Sequence, residues 1–113
     1  MGMVKRAAPL RGEIWITELD PTVGREIQKT RPCVVVSPNS MNQFLDTVTV
    51  MPMTSGSWEA PFRVPVQTGG KQGFLLAEQL RTTDRHRMRK RVGALDAATL
   101  REALAVLREM FEE

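Results

Sequence analysis

The stretch Gln28-Lys29-Thr30-Arg31-Pro32-Cys33-Val34-Val35-Val36-Ser37 decides how this chain folds. Pro32 holds its own φ near one value and turns Arg31 away from the helical region. Cys33 to Val36 then runs apolar and mostly β-branched without alternation, the pattern of a central strand buried on both faces. Arg31 stands at the mouth of that strand. A guanidinium on a loop swings widely, whereas one fixed at the edge of a buried strand can be aimed at a single anionic group. Taken alone, Lys29 and Arg31 also fit the plainer reading of solvated charges flanking an ordinary strand.

Working back toward the N-terminus, Glu13-Ile14-Trp15-Ile16-Thr17-Glu18-Leu19 alternates β-branched and aromatic residues with polar ones and reads as the first strand. Residues 20–30, with Pro21 and Gly24, form a long loop between the first two strands, and loops of that length are often functional. Residues 1–10 read as a flexible arm and 11–113 as a single domain.

Toward the C-terminus, residues 38–44 suggest a short helical turn capped by Asn39 or Ser40. Residues 46–54 read as the third strand. Val48, Val50, Pro52 and Thr54 lie on the face expected to be buried, and Thr47, Thr49, Met51 and Met53 lie on the other. Pro52 is expected to weaken pairing near the strand's end, and Pro65 to interrupt a shorter strand over 61–66. A turn at 68–71 leads to a buried strand over 73–77 that runs straight into Glu78-Gln79-Leu80-Arg81-Thr82. Arg85, Arg87, Arg89 and Arg91 then recur at a period of two, which suits either the solvated face of an edge strand or a cationic surface. Asp96 is a good N-cap for a helix that aligns Leu100, Leu104, Leu107 and Phe111. The sum is a small, mainly β barrel or curled sheet with one C-terminal α-helix packed against it.

Composition bounds the function. A chain of 113 residues makes one core, and 42% hydrophobic with 26% charged residues excludes wholesale disorder. The net charge of +3 favours a polyanionic partner without requiring one. One cysteine and one histidine give no disulfide framework and no readable metal site, so no metal or cofactor is expected. No apolar run approaches a membrane span and no signal peptide is visible, which makes the cytoplasm the expected address.

Three blocks taken together resemble the MazF/PemK toxins, the endoribonuclease halves of toxin-antitoxin pairs. They are Arg11-Gly12-Glu13-Ile14-Trp15 with Leu19-Asp20-Pro21-Thr22-Val23-Gly24, then Lys29-Thr30-Arg31-Pro32 ahead of Val34-Val35-Val36-Ser37, then Pro52-Met53-Thr54-Ser55. Glu78-Gln79-Leu80-Arg81-Thr82 and the closing helix extend the match to nearly everything from Arg11 onward. The resemblance implies an SH3-like barrel of the MazF/PemK type, shared with gyrase-poisoning toxins, and a homodimer. It also implies metal-free cleavage of single-stranded RNA and a cognate antitoxin protein whose tail lies along the RNA groove. Arg31 and Thr54 would be the catalytic pair, with Glu26, two residues past the loop glycine, contributing. Two positions depart from certain PemK-like members: Arg25 stands where they carry histidine, and Leu76 where they carry arginine.

Cleavage without metal uses the ribose 2′-OH as nucleophile, so the protein must help remove that proton, neutralise the phosphorane and protonate the departing oxygen. Arg31 suits the second task and, always protonated, is an awkward base. Thr54 can donate to the same phosphate. Glu26 is the acceptor to test as base, the alternative being a loop carboxylate paired with Arg25 or Lys29. The RNA-binding set is Lys29, Thr30, Ser55, Trp58, Glu78, Gln79, Arg81, Arg85 and Arg87. Trp58 either stacks a base or belongs to the core. A gyrase poison and a non-catalytic RNA-binding module are the rival functions; both lack need of a convergent hydroxyl and guanidinium.

Overall fold

The computed structural model describes residues 7–56, 58–68 and 70–113. Its elements are β1 (Glu13–Glu18), β2 (Thr30–Val35), a one-turn helix α1 (Asn39–Asn42), β3 (Thr47–Ser55), β4 (Arg63–Thr68), β5 (Lys71–Leu76), β6 (Arg81–Asp84), β7 (Met88–Ala94) and the helix α2 (Ala97–Phe111). The strands form one seven-stranded sheet in the order β4-β5-β3-β2-β1-β7, with β6 paired to β3. Neighbouring strands run antiparallel throughout. Among the described residues the end strands β4 and β7 do not pair, so the expected barrel is an open one.

The β2 run is buried as its sequence demands. Cys33, Val34 and Val35 are wholly inaccessible. Because side chains alternate across a strand, Val34 and Val36 enter one apolar cluster with Met51, Met53, Val64, Leu75 and Ala103, while Cys33 and Val35 enter a second with Leu19, Val48, Val50 and Met88. Burying each such side chain contributes about 1.5–3 kcal/mol, which makes β2 the anchor of both faces. Burial also pushes the Cys33 thiol up to about 12, so it behaves as a small core residue.

β3 departs from its one-sided expectation, because Met51 and Met53 are as buried as Val48 and Val50. The reason is its central place. Along one edge β3 pairs with β2, and along the other it pairs first with β6 (Thr47 to Val50) and then with β5 (Met53 to Ser55). On the β2 edge the pairing ends at Pro52, opposite Cys33, as the sequence suggests, while on the other edge β3 goes on to pair with β5. A 3₁₀ turn over Ala77–Gln79 separates β5 from β6 and lifts Glu78 and Gln79 out of the ladder. Pro65 interrupts nothing, since β4 is an edge strand with room for a residue lacking an N–H. In the expected turn at 68–71, Thr68 pairs with Lys71, and Gly69 lies outside the described residues.

Residues 1–6 of the expected flexible arm also lie outside the described residues. Residues 7–10 are fastened rather than loose. Pro9 is buried, and its carbonyl accepts from Asn42 Nδ2 at 3.1 Å. Asn42 accepts from Ser37 Oγ at 2.6 Å, completing a buried polar network that anchors the segment. The α1 turn begins at Pro38 without a side-chain cap, because Asn39 Oδ1 instead accepts from the Arg11 N–H at 2.7 Å.

Asp96 caps α2 as expected, accepting from Thr99 N–H at 2.7 Å. Ala103 is buried and Leu104, Val106 and Leu107 pack on the first cluster. Phe111, expected on the buried stripe, is 73% exposed, and the helix's packing on the first cluster ends at Leu107. Gly12 keeps a positive φ of 93° where a β-carbon would meet the Leu100 side chain at 3.2 Å, so this glycine lets β1 approach α2.

Candidate active site

The β2–β3 register sets Cys33 opposite Pro52, Val34 opposite Met51 and Val35 opposite Val50. The paired register ends there; Arg31 lies two residues before Cys33 and Thr54 two residues beyond Pro52, at the same end of the two strands. The two residues expected as the catalytic pair thus stand at one end of the two central strands. Both residues are partly exposed.

Arg31 is steadied through Nε, which donates to the Gln28 carbonyl at 2.9 Å. Its terminal nitrogens make no hydrogen bond among the described residues and form the fork that can engage two phosphoryl oxygens. Lys29, just before, has a φ of 72°, a left-handed conformation uncommon for a non-glycine residue. Its carbonyl accepts from the Leu19 N–H at 3.0 Å, so the strained residue closes the neck of the β1–β2 loop. Thr54 Oγ1 reaches only the Ser55 carbonyl, at 3.4 Å, the long end of hydrogen bonding. That hydroxyl is available to a ligand. Thr30 and Ser55 flank the pair and are exposed.

The β1–β2 loop is held against the 3₁₀ turn by one side chain. Gln79 accepts from the Ile27 N–H at 3.1 Å and donates to the Arg25 carbonyl at 3.4 Å, gripping both sides of Glu26. Arg81 donates to the Leu19 carbonyl at 3.1 Å at the base of the loop. Between loop and turn lies an open groove of about 380 Å³ lined by Arg25, Glu26, Ile27, Glu78, Gln79, Leu80 and Arg81. Glu26 pairs with neither Arg25 nor Lys29. Its Oε1 accepts from the Val23 N–H at 2.6 Å, which leaves the other oxygen toward solvent.

The basic run behaves differently from the other cations. Arg87 donates to the carbonyls of Glu18 and Asp20, Arg89 pairs with Glu18, Arg91 with Glu13 at 2.7 Å, and Arg85 donates to the Ala7 carbonyl at 3.1 Å. These arginines fasten the edge strand β7 and the start of the loop. The reading of the run as a cationic RNA surface is therefore only partly met, since Arg85 and Arg87 hold backbone carbonyls.

One residue of this region escaped the sequence. Arg63, at the start of β4, stands opposite Leu76 in the β4–β5 ladder, and its guanidinium engages Glu78 Oε2 through Nη2 at 2.6 Å and Nε at 3.2 Å. The same guanidinium lies over the ring of Trp58, 4.0 Å from its centroid, and Nη1 donates to the Trp58 carbonyl at 3.1 Å. Trp58 is not core: it is 65% exposed. Leu76 itself is buried, so the position that carries arginine in certain PemK-like proteins supports the core here. The only hint in the sequence was an arginine opening an edge strand two pairs away from an acid.

An open antiparallel sheet with a C-terminal helix packed against it is an architecture this chain shares with the MazF toxins. The chain belongs to the PemK-like, MazF-like toxins of type II toxin-antitoxin systems, whose family profile matches residues 10–111. It is 36% identical to the Endoribonuclease PemK of Escherichia coli over 112 residues, covering 93% of this chain and 84% of that protein. Among solved structures, MazF of Deinococcus radiodurans superposes with a TM-score of 0.83 at 27% identity, covering 94% of this chain and 98% of that one. The MazE-MazF structure from the same organism gives a TM-score of 0.71 with the same identity and coverage. Among the described residues, no helix is long and apolar enough to cross a membrane.

Proposed function

We propose that this toxin is a sequence-specific endoribonuclease that cuts single-stranded RNA in the cytoplasm by attack of the ribose 2′-OH. What supports this reading is that Arg31 and Thr54 stand at the same end of the two central strands, one offering an unengaged guanidinium fork and the other a loosely held hydroxyl. A phosphodiester seated between them would receive charge-assisted hydrogen bonds that strengthen as negative charge grows on the phosphorane. The 2′-oxygen forms its bond to phosphorus as the bond to the 5′-oxygen breaks. The proton leaves the 2′-oxygen for the free carboxylate oxygen of Glu26, and the 5′-oxygen gains one from Glu26 or from water. The products carry a 2′,3′-cyclic phosphate and a 5′-hydroxyl. Lys29, Thr30, Ser55, Gln79 and Arg81 line the approach, supplying phosphate attraction and shape.

Cleavage of a chimeric strand tests the reading. A single 2′-deoxy substitution on the 5′ side of the cut should abolish scission at that bond, while activity on the all-ribose strand persists in excess EDTA. Scission of the deoxy-substituted bond would remove the 2′-OH mechanism, and absence of scission in every ribose strand would remove the nuclease reading altogether. Two partners follow from the same reading. One is a cognate antitoxin, a partner that the MazE-MazF structure of the Deinococcus radiodurans relative supports. A homodimer would cover the apolar groove lined by Val36, Met41, Leu104, Leu107 and Phe111; sedimentation at micromolar concentration should give twice the chain mass.

A further inference from the structure

Trp58 is a bulky side chain left largely in solvent, yet it is not left free to move. Its ring has a guanidinium over one face, its carbonyl accepts a hydrogen bond from that same Arg63, and Phe62 meets it edge-on with ring centroids 6.5 Å apart. Arg63 in turn is fixed by the two-pronged pair with Glu78, and its side chain is only 10% exposed. The result is an aromatic surface held rigid from behind, in the connection that follows Thr54 by four residues. An exposed tryptophan with no ligand to bind would gain nothing from being oriented by a buried cation and a carboxylate.

We propose that the outer face of Trp58 is the stacking subsite for one unpaired base of the single-stranded RNA, with Arg63 and Glu78 as its positioning residues. This rests on the RNA reading above. Stacking on a pre-oriented ring loses little conformational entropy, and an unpaired base offers a π-face that a duplex withholds. Glu78 accordingly acts through Arg63, not on the phosphate: with Oε2 tied to the guanidinium, its charge is directed inward.

The test uses the whole chain and 2′-O-methyl single strands, homopolymers of A, C and U, which bind without being cut. Tryptophan emission of the parent should be quenched on binding. Trp58→Ala should lose the quenching and weaken affinity about 5- to 100-fold, whereas Trp58→Phe should stay within about threefold. Against an abasic strand of the same length, parent and Trp58→Ala should bind alike, because phosphate attraction is untouched. Arg63→Met and Glu78→Gln should lower affinity for base-containing strands, and with a cleavable ribose strand raise KM while leaving kcat near the parent value. Trp58→Ala binding base-containing strands as the parent does, or losing affinity equally for the abasic strand, would overturn the subsite. Quenching and base-dependent binding by a parent that cuts no ribose strand would sustain the subsite while the nuclease reading fell; a parent that binds no strand would overturn both.

Discussion

Gly73 lies so close to Thr54 that a β-carbon built on it would sit 2.1 Å from the Thr54 carbonyl oxygen. The contact is with backbone, which cannot swing aside. Gly73→Ala must therefore displace the end of β3 or of β5, with a loss of about 1–3 kcal/mol in stability from overpacking. Because the displaced residue carries the hydroxyl proposed to bind the scissile phosphate, cleavage should fall by more than the loss of stability explains. Thermal melting together with kcat at a temperature where the variant is fully folded checks this. An unchanged kcat would mean that the position of Thr54 is not critical.

Gln79 holds the loop on both sides of Glu26, so its removal should loosen the loop without touching the core. Gln79→Ala is expected to melt within a few degrees of the parent and to lose most of its cleavage rate. Gln79→Glu can still accept from the Ile27 N–H but cannot donate to the Arg25 carbonyl, and should fall between the two. Hydrogen exchange of the loop amides in the two variants reads the loosening directly.

Glu13 gives the fold an acid-sensitive clamp. Burial works against its charge, but the Leu10 N–H, the Trp15 indole and Arg91 outweigh it and hold the carboxyl below its ordinary value of 4.5. A depressed carboxylate contributes stability above its unfolded pKa, and that contribution is lost as pH falls through the folded value. Glu13→Gln should thus cost about 1–2 kcal/mol near neutral pH. The difference from the parent should shrink below pH 4.5, and denaturant melts across that range measure it.

The parts of this molecule that could be read from sequence are those fixed by local chemistry. The unbroken apolar run of β2 demanded burial on both faces, and Asp96 announced the start of α2. Arg31 and Thr54 could be named from motif blocks, yet their standing at one end of the central strands depends on the β2–β3 register, which pairs residues about twenty apart. Met51 and Met53 were misjudged because threonines beside them looked like a solvated face; tertiary coverage by α2 and β4 overrode that pattern. Arg63 was invisible because its meaning comes from which strand lies next to β5. The arginines from 85 to 91 read as a surface feature, and only the fold shows which carbonyls and carboxylates they reach.

The sharpest expectation separates binding from chemistry at Arg31 and Thr54. Arg31 is steadied by a bond to the Gln28 carbonyl and has no carboxylate partner among the described residues, so its removal leaves no buried charge behind. Arg31→Ala should fold normally, lose cleavage by at least about 100-fold, and lose only modest affinity for RNA, since Lys29, Arg81 and the strand's other contacts supply most of the attraction. Thr54→Ala should act in the same direction but more mildly, because a neutral hydroxyl stabilises a phosphorane less than a guanidinium does. The double variant should be little worse than Arg31→Ala alone, as expected of two groups serving one phosphate. Parallel measurements of kcat and of affinity for an uncleavable strand decide the matter. Parent-like cleavage by both single variants would place the chemistry elsewhere, and a loss confined to affinity would make the pair a binding site instead.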